Sequence, residues 1–336
     1  MKKKIGMILR VFISVTLVGG IFYVFRDKLD EIIELLANAD VSLVCIAFVG
    51  GIANAVLFGL RLRSILAAQG VKVSLYNAFV VVMAGYFFGN FVPSSVGVDL
   101  VKGTYLAKGT NKIKETFSSI LIDRVIGLST LIMIAVAAIV IRQDLVPDGN
   151  VKRSIIMMAV FAVAICLFFT NKRLGRLARP FLVLVPHKKI KDSLRDFYLA
   201  IHEYKDRPGI LFVSALISVI AQLVFFYCIY LLAVSIGIDV PAFFYLIFLP
   251  IISLAAVAPS LNGMGVRDVM FIYFFSPYSS PEEALAIAIL VNAFFIFLGI
   301  VGGGVLGLSG TLKIDQVKEA AESVAKIKEE KNNAGA

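Results

Sequence analysis

NFVPSSVGVDLVKG (residues 90–103) follows directly on the apolar run LYNAFVVVMAGYFFG (75–89) and breaks it with a proline, two serines and a glycine. Only about 16 residues of membrane-helix character precede the break, short of the ~20 that cross a bilayer. Asp99 and Lys102 then appear where a crossing helix would still lie in lipid. The segment either crosses and stops, or breaks at mid-depth and turns back.

The composition makes lipid the solvent. Of 336 residues, 59% are hydrophobic and 17% charged, and the mean hydropathy is +0.91. A soluble domain cannot bury that much apolar surface. Apolar runs of 18 residues and more, without ten-residue alternation, exclude an outer-membrane barrel. The chain is therefore read as an all-α polytopic membrane protein. Cys45, Cys166 and Cys228 each sit inside an apolar run, far apart, and read as packing residues rather than metal ligands or a disulfide. His187 and His202 share one polar loop without flanking Cys or acids, so no metal and no cofactor is expected. The net charge of +10 reads as the positive-inside signature of a membrane protein, not as a nucleic-acid footprint. The N-terminal stretch MKKKIGMILRVFISVTLVGGIFYVF lacks a small-residue cleavage site and reads as an uncleaved first span.

Long apolar runs fall at 8–25, 42–60, 117–141, 154–170, 209–236 and 284–309, and two further runs, 75–107 and 243–275, are broken near the middle. Basic residues decide the threading. Lys2, Lys3 and Lys4 place the N-terminus in the cytoplasm, the acidic segment 26–40 falls outside, and Arg61, Arg63 and Lys72 in 61–74 fall inside. Lys108, Lys112 and Lys114 follow the first broken run. They return to the cytoplasm only if 75–107 is a re-entrant hairpin. The segment 171–208, with ten Lys or Arg against four acids, then lies inside, as does the tail. Six spanning helices plus two re-entrant hairpins result, with both termini in the cytoplasm. Eight full spans are the alternative, at the cost of placing the 108–115 lysines outside.

So threaded, the chain divides into 1–141, a first half of span, span, hairpin and span, and a second half of the same order and inverted topology. The second half comprises 142–170, an inserted cytoplasmic segment 171–208, and 209–310; a charged tail, 311–336, ends the chain. Both hairpin tips read PSxxG: Pro93, Ser94 and Gly97 in the first, Pro259, Ser260 and Gly263 in the second. Paired, Pro/Gly-interrupted segments at matching points of two inverted halves point to a transporter's mid-membrane site. Irregular backbone at membrane depth must be buried in protein or face water. Proline ends the descending helix and glycine permits the turn. Ser94, Ser95, Ser260 and Asn262 offer hydrogen bonds to freed backbone or to a ligand, and the returning half-helices point their positive dipole ends inward, which favours an anion.

An ionised side chain in a spanning helix costs roughly 2.5–3.5 kcal/mol on insertion scales and calls for a partner or a purpose. Asp123 and Arg124 in FSSILIDRVIGL, and Arg267 and Asp268 in GMGVRDVMFIYF, are such residues. Arg124 and Arg267 are expected to face a common polar cavity, with Asp99, Asp123 and Asp268 balancing them. Arginine suits a phosphate because its planar fork makes two parallel charge-assisted bonds. The bland alternative has Asp123 and Arg124 pairing structurally or snorkelling. Asn90, Gln222 and Asn292 are lesser candidates, more often interhelical bonds than ligand contacts. Gly299, Gly303 and Gly307, like Gly51, Ala55 and Gly59, repeat every four residues and read as close-packing faces. Ile190, Leu194, Phe197, Ile201 and Tyr204 form one face of a basic interfacial helix.

NFVPSSVGVDLVKG, SSILIDRVIGL and APSLNGMGVRD, in that order, resemble the transmembrane family of the lysylphosphatidylglycerol synthase/flippase. The likeness runs from about residue 8 to 310. Carried over by position, it singles out Pro93, Gly97, Asp99, Asp123, Arg124, Pro259, Gly263 and Gly265. PSSVG stands where the family has more glycines, and Arg267-Asp268 stands where an acid is common. With 26 residues after 310, the family's soluble aminoacyl-transferase domain is not expected, nor is aminoacyl-lipid synthesis. The resemblance implies translocation of a phospholipid or a polyprenyl-phosphate-linked lipid. The partner would be an anionic membrane lipid; no nucleic acid is implied, and the sequence is compatible with a homo-oligomer. A membrane-embedded lipid transferase, or an accessory subunit of envelope synthesis, remains as a second reading. Against an enzyme stand the absence of His, Cys pairs and acidic metal clusters from the spans, and without a P-loop the chain does not hydrolyse ATP.

Overall fold

The structure is a computed structural model and describes residues 16–91, 95–110, 112–142, 144, 204, 207–256 and 263–309. The expected span 154–170, the tail 311–336 and most of the segment 171–208 lie outside the described residues. Within them, all elements are helical: α1 (16–24), a 3-10 turn at Arg26–Lys28, α2 (Leu29–Ala37), α3 (Val41–Ala68), α4 (Leu75–Phe91), α5 (Ser95–Thr110), α6 (Ile113–Ile141), α7 (Pro208–Ser235), α8 (Ala242–Ala255), α9 (Val266–Phe275) and α10 (Pro281–Leu308).

Length sorts these helices into two kinds. α3, α6, α7 and α10 have 28 or 29 residues each and are long and apolar enough to cross a membrane, at about 42 Å apiece. They match the expected runs 42–60, 117–141, 209–236 and 284–309. α3 continues past its expected run to Ala68, and α6 and α10 begin three or four residues before theirs, each extension carrying charged residues. The other kind is short: α4 has 17 residues, α5 16, α8 14 and α9 10. The surface is inside out relative to a soluble protein. On α7, Phe212, Leu216, Ile220, Leu223 and Tyr227 form an exposed stripe, while Ser214 and Ser218 are fully buried. That distribution suits a lipid exterior, where the backbone bonds of each helix are met internally. The chain is a multi-pass α-helical membrane protein.

Helix starts are set by local chemistry. Asp40 caps α3 by accepting from the backbone N–H of Ser42 (2.8 Å) and Leu43 (3.3 Å). Ser280, Pro281 and Glu283 open α10 with a reciprocal capping box, Ser280 Oγ accepting from Glu283 N (3.1 Å) and Glu283 from Ser280 N (2.8 Å). At α9, Gly265 has φ +82°, a conformation open to glycine alone at low cost. Its N–H donates to the Asp268 carboxylate at 3.0 Å.

Both broken runs fold back on themselves. Lys102 of α5 lies against Gly85 of α4, its Nζ 3.0 Å from where a Cβ would stand and its chain overlapping that position. Positions 85 and 102 are nearly equidistant from the break at 92–94, so α5 returns alongside α4. In the second run, Phe248 of α8 meets Phe274 of α9 with ring centroids 4.7 Å apart, and Phe244 meets Phe275 at 4.8 Å. Gly263 (φ +79°) sits against Ala256 at the base of that turn. Leu17 of α1 packs on Gly265, so the first helix reaches the second hairpin's tip.

The two folded-back segments pack on different long helices. α4 packs on α10 and α8 packs on α6. α3 and α7 pack antiparallel along their length. Asp40 N donates to the Ser235 carbonyl at one end (2.7 Å), and Arg61 reaches Ser218 toward the other. Cys228 fits into the notch at Gly50 of α3.

Glycines admit the closest approaches. Gly51 faces Phe294 and Leu298 of α10, and Gly59 faces the α4 backbone at Phe79. On α10 the contact face is Gly299, Gly302 and Gly303, whereas Gly307 touches nothing within 4 Å; the expected four-residue stripe is displaced at its end. A Cβ on Gly302 would overlap the Met83 carbonyl oxygen, whereas Gly304 also has open space. Gly302→Ala should therefore destabilise the fold by about 1–3 kcal/mol, read as a lower melting temperature in detergent. Gly304→Ala should leave it unchanged or raise it slightly.

Candidate functional site

Two charge centres are built into the helix interfaces. The first is on α6, where Asp123 and Arg124 are consecutive and point about 100° apart around the helix. That difference sends each to a separate neighbour. Asp123 faces α3, where Arg61 Nε donates to its Oδ1 at 2.7 Å and Nη2 to its Oδ2 at 2.9 Å. Such a two-pronged fork is the strongest geometry an arginine–carboxylate pair adopts. Arg61 is 7% exposed, and its remaining Nη1 donates to Ser218 Oγ of α7 at 2.8 Å. Ser218 and Thr130 hydroxyls are 2.7 Å apart. The Thr130 proton goes to the carbonyls of Ile126 (2.9 Å) and Gly127 (3.0 Å). Ser218 must then be the donor to Thr130, since a hydroxyl has one proton. The chain Arg61 to Ser218 to Thr130 to backbone is thereby ordered. Gly127 leaves room for the guanidinium, with Arg61 Nη1 3.3 Å from the position of an added Cβ.

Arg124 faces α5 and pairs with Asp99, Nη2 to Oδ2 at 2.6 Å, both side chains partly exposed. Lys102, one turn beyond Asp99, lies in the field of Asp99 and Asp123 and of Arg61 and Arg124. It makes no ion pair or hydrogen bond with the described residues. Among the described residues, five charges thus share one region: three cations against two acids, a surplus of +1. Polar burial is expensive in such a setting.

The second centre is at the start of α9. Arg267 (5% exposed) and Asp268 (4%) are both buried. Asn292 of α10 joins them, its Oδ1 accepting from Arg267 Nη2 and its Nδ2 donating to Asp268 Oδ1 at 3.0 Å. The Arg267 guanidinium also stacks over Phe295 at 4.5 Å, while its Nε has no partner. Asn90, at the end of α4, donates to the Phe295 carbonyl at 3.3 Å. The first hairpin and Arg267 therefore meet on the same residue of α10.

The expected residues thus divide. Asp99 and Arg124 are paired, Asp123 belongs to Arg61, and Arg267 and Asp268 are joined through Asn292. None of the contacts of Arg267 is with Asp99, Asp123 or Arg124, so the described contacts form two centres. Ser95 and Gly97 fall in the first turn of α5, and Gly263 and Gly265 shape the second turn. Pro93, Ser94, Pro259, Ser260 and Asn262 lie outside the described residues. Asn90 and Asn292 make the interhelical bonds expected of them. Arg61 and Ser218 went unread in the sequence, as did the buried Asn54, whose two amide atoms have no partner. The legible signal for Arg61 was its place on the apolar face Ala55, Leu62, Ile65, Leu66, all buried, whereas Arg63 is exposed.

Removing one member of the Arg61–Asp123 fork strands the other. Arg61→Met and Asp123→Asn should each cost about 3–5 kcal/mol of stability, measured by thermal unfolding in detergent. The double substitution should recover a large part of that loss, since it leaves no buried charge unpaired.

Comparison with known proteins agrees with this architecture. The model of the family described as the lysylphosphatidylglycerol synthase TM region matches residues 7–303. A UPF0104 membrane protein of Methanocaldococcus jannaschii is 25% identical over 281 residues, covering 79% of this chain and 83% of the relative. The match takes in α1 to α9 and most of α10, with both folded-back segments and both charge centres, and this chain belongs to the lysylphosphatidylglycerol synthase transmembrane-region family.

Proposed function

We propose that the protein is a non-enzymatic lipid transporter that moves a phospholipid or a polyprenyl-phosphate-linked lipid across the cytoplasmic membrane, holding the phosphate near the two hairpin tips. The observation that carries this is the surplus cation of the first centre. Three bases and two acids, at helices that line a folded-back segment, favour an anionic group. Acyl chains would remain in lipid while the headgroup passes between the helices.

Several features support re-entrance of the two hairpins. At about 15 Å, α9 is half the ~30 Å hydrocarbon thickness. α8, at about 21 Å, is also short. The exchange of hairpins between halves, with α3 and α7 paired, is the contact pattern an inverted repeat would produce. With the hairpins re-entrant, both termini and the 108–115 lysines would lie on the cytoplasmic side, as the distribution of basic residues favours.

Topology and transport are tested separately. With Cys45, Cys166 and Cys228 replaced by alanine, Thr110→Cys should resist an impermeant thiol reagent applied from outside and react once the membrane is opened; outside labelling sinks the re-entrant threading. In vesicles containing the purified protein, fluorescent phospholipid should move between leaflets faster than in empty vesicles. Arg124→Ala and Arg267→Ala should slow it at least about tenfold. Wild-type vesicles no faster than empty ones would remove transport and favour the lipid-transferase or accessory role.

A further inference from the structure

The first charge centre says which headgroup it can take, a question that rests on the transport reading above. We infer that Lys102 is the docking cation for a phosphodiester carrying one negative charge and an uncharged headgroup. Among the described residues, the charges of this region are Arg61 and Asp123, joined between α3 and α6, Arg124 and Asp99, joined between α6 and α5, and Lys102 one turn from Asp99 on α5. Four of them are already matched. Arg61 gives two donors to Asp123 and its third to Ser218. Arg124 is held by Asp99 at 2.6 Å. Lys102 alone has neither an ion pair nor a hydrogen bond among the described residues.

The fold also keeps that ammonium in place. Its aliphatic stem lies along Gly85 of α4, where any Cβ would overlap the Lys102 chain, and Val98 of α5 closes the same spot at 3.6 Å from that Cβ position. Gly85 therefore gives the lysine a groove between the two arms of the hairpin. Asp99, three residues before it on the same face of α5, is turned to Arg124 and does not neutralise it.

Net charge then selects the ligand. An unbalanced charge away from bulk water is costly, and one monoanion brings the five-charge region from +1 to zero. A phosphomonoester with two charges overshoots to −1. A zwitterion satisfies Lys102 with its phosphate but brings an ammonium whose natural acceptors, Asp99 and Asp123, are already occupied by arginine. A lysine-bearing headgroup adds two ammonium groups with the same difficulty. The favoured chemistry is the neutral-headgroup phosphodiester, borne on a diacylglycerol or on a polyprenol.

The test compares headgroups in wild-type protein, so that it does not depend on a variant folding. Purified full-length chain in neutral-lipid vesicles is given acyl-labelled phosphatidylglycerol, phosphatidylcholine, phosphatidic acid or lysylphosphatidylglycerol, and separately a labelled glucosyl polyprenyl phosphate. Phosphatidylglycerol, the glucosyl lipid or both should cross at least about tenfold faster than the other three, and which of them moves identifies the source of the phosphodiester. Lys102→Met should abolish that preference, with Lys102→Arg retaining it and both variants melting near wild type. Gly85→Val should weaken the preference by displacing the lysine. Equal transport of all headgroups would overturn the assignment while leaving the transport reading intact. So would a preference that survives Lys102→Met. Absence of any transport would instead overturn the transport reading itself.

Discussion

The guanidinium of Arg61 is the constraint around which this membrane domain is arranged. A permanently charged side chain 7% exposed, on a helix that lines the protein interior, cannot be left to lipid. Its fork closes on Asp123 of α6, and its Nη1 donates to Ser218 of α7. One side chain thus ties α3 and α6 of the first half to α7 of the second. Fixing Asp123 toward α3 rotates Arg124 toward α5, and there Asp99 is the group that meets it. The returning arm of the first hairpin is then held on α6 by a pair whose direction was set on the opposite side of that helix. The small residues follow from the same need. Gly127 yields space to the guanidinium, and Gly103 to Phe117 where α5 lies against α6.

What could be read in the sequence, and what could not, divides along the range of the interaction. Broken apolar runs are local signals, because proline and glycine act within a few residues; the interruptions of the runs 75–107 and 243–275 were visible for that reason. Gly265, with its positive φ and with Asp268 three residues on, was legible for the same reason. The partner of Asp123 was not, since Arg61 is 62 residues away. Counting bases to orient a membrane protein treats each arginine after a span as a loop residue. Arg61 defeats that rule because the α3 helix continues to Ala68 and buries the face it shares with Ile65. Arg63, two residues later, obeys the rule and is exposed. The direct contacts of Arg124 and of Arg267 form two separate sets. Asn292, seen only as an interhelical bond, is the group that links Arg267 to Asp268.

The short helices and the long ones carry different burdens. α3, α6, α7 and α10 present apolar stripes outward and bury small and polar residues among large apolar ones, and with lipid outside their packing depends on close approach rather than on expelling water. α4 lies so close to α10 that Gly302 abuts a backbone carbonyl. α8 and α9 compensate for their length with aromatic contacts, Phe244 touching Phe248, Phe275 and Tyr278 at centroid distances of 4.4–4.8 Å. The second hairpin is therefore clamped by rings. The first has a lysine stem between its arms.

That difference makes the two folded-back segments unequal. At the second centre, one arginine and one aspartate are bridged by an asparagine, and the sum of charge is zero. Its cost is met inside the protein, as the stacking of Arg267 on Phe295 also indicates. At the first centre the sum is +1, and Lys102 is the group left over. An interior charge without a counterion raises the energy of the state that contains it, and any anion that supplies the missing charge lowers that energy by more than it would in a neutral site. Two neutral centres would give an anion no reason to favour either. Unequal ones place the stronger attraction at Lys102, so the difference between the two centres, rather than any likeness, is what can give this interior an affinity for charge.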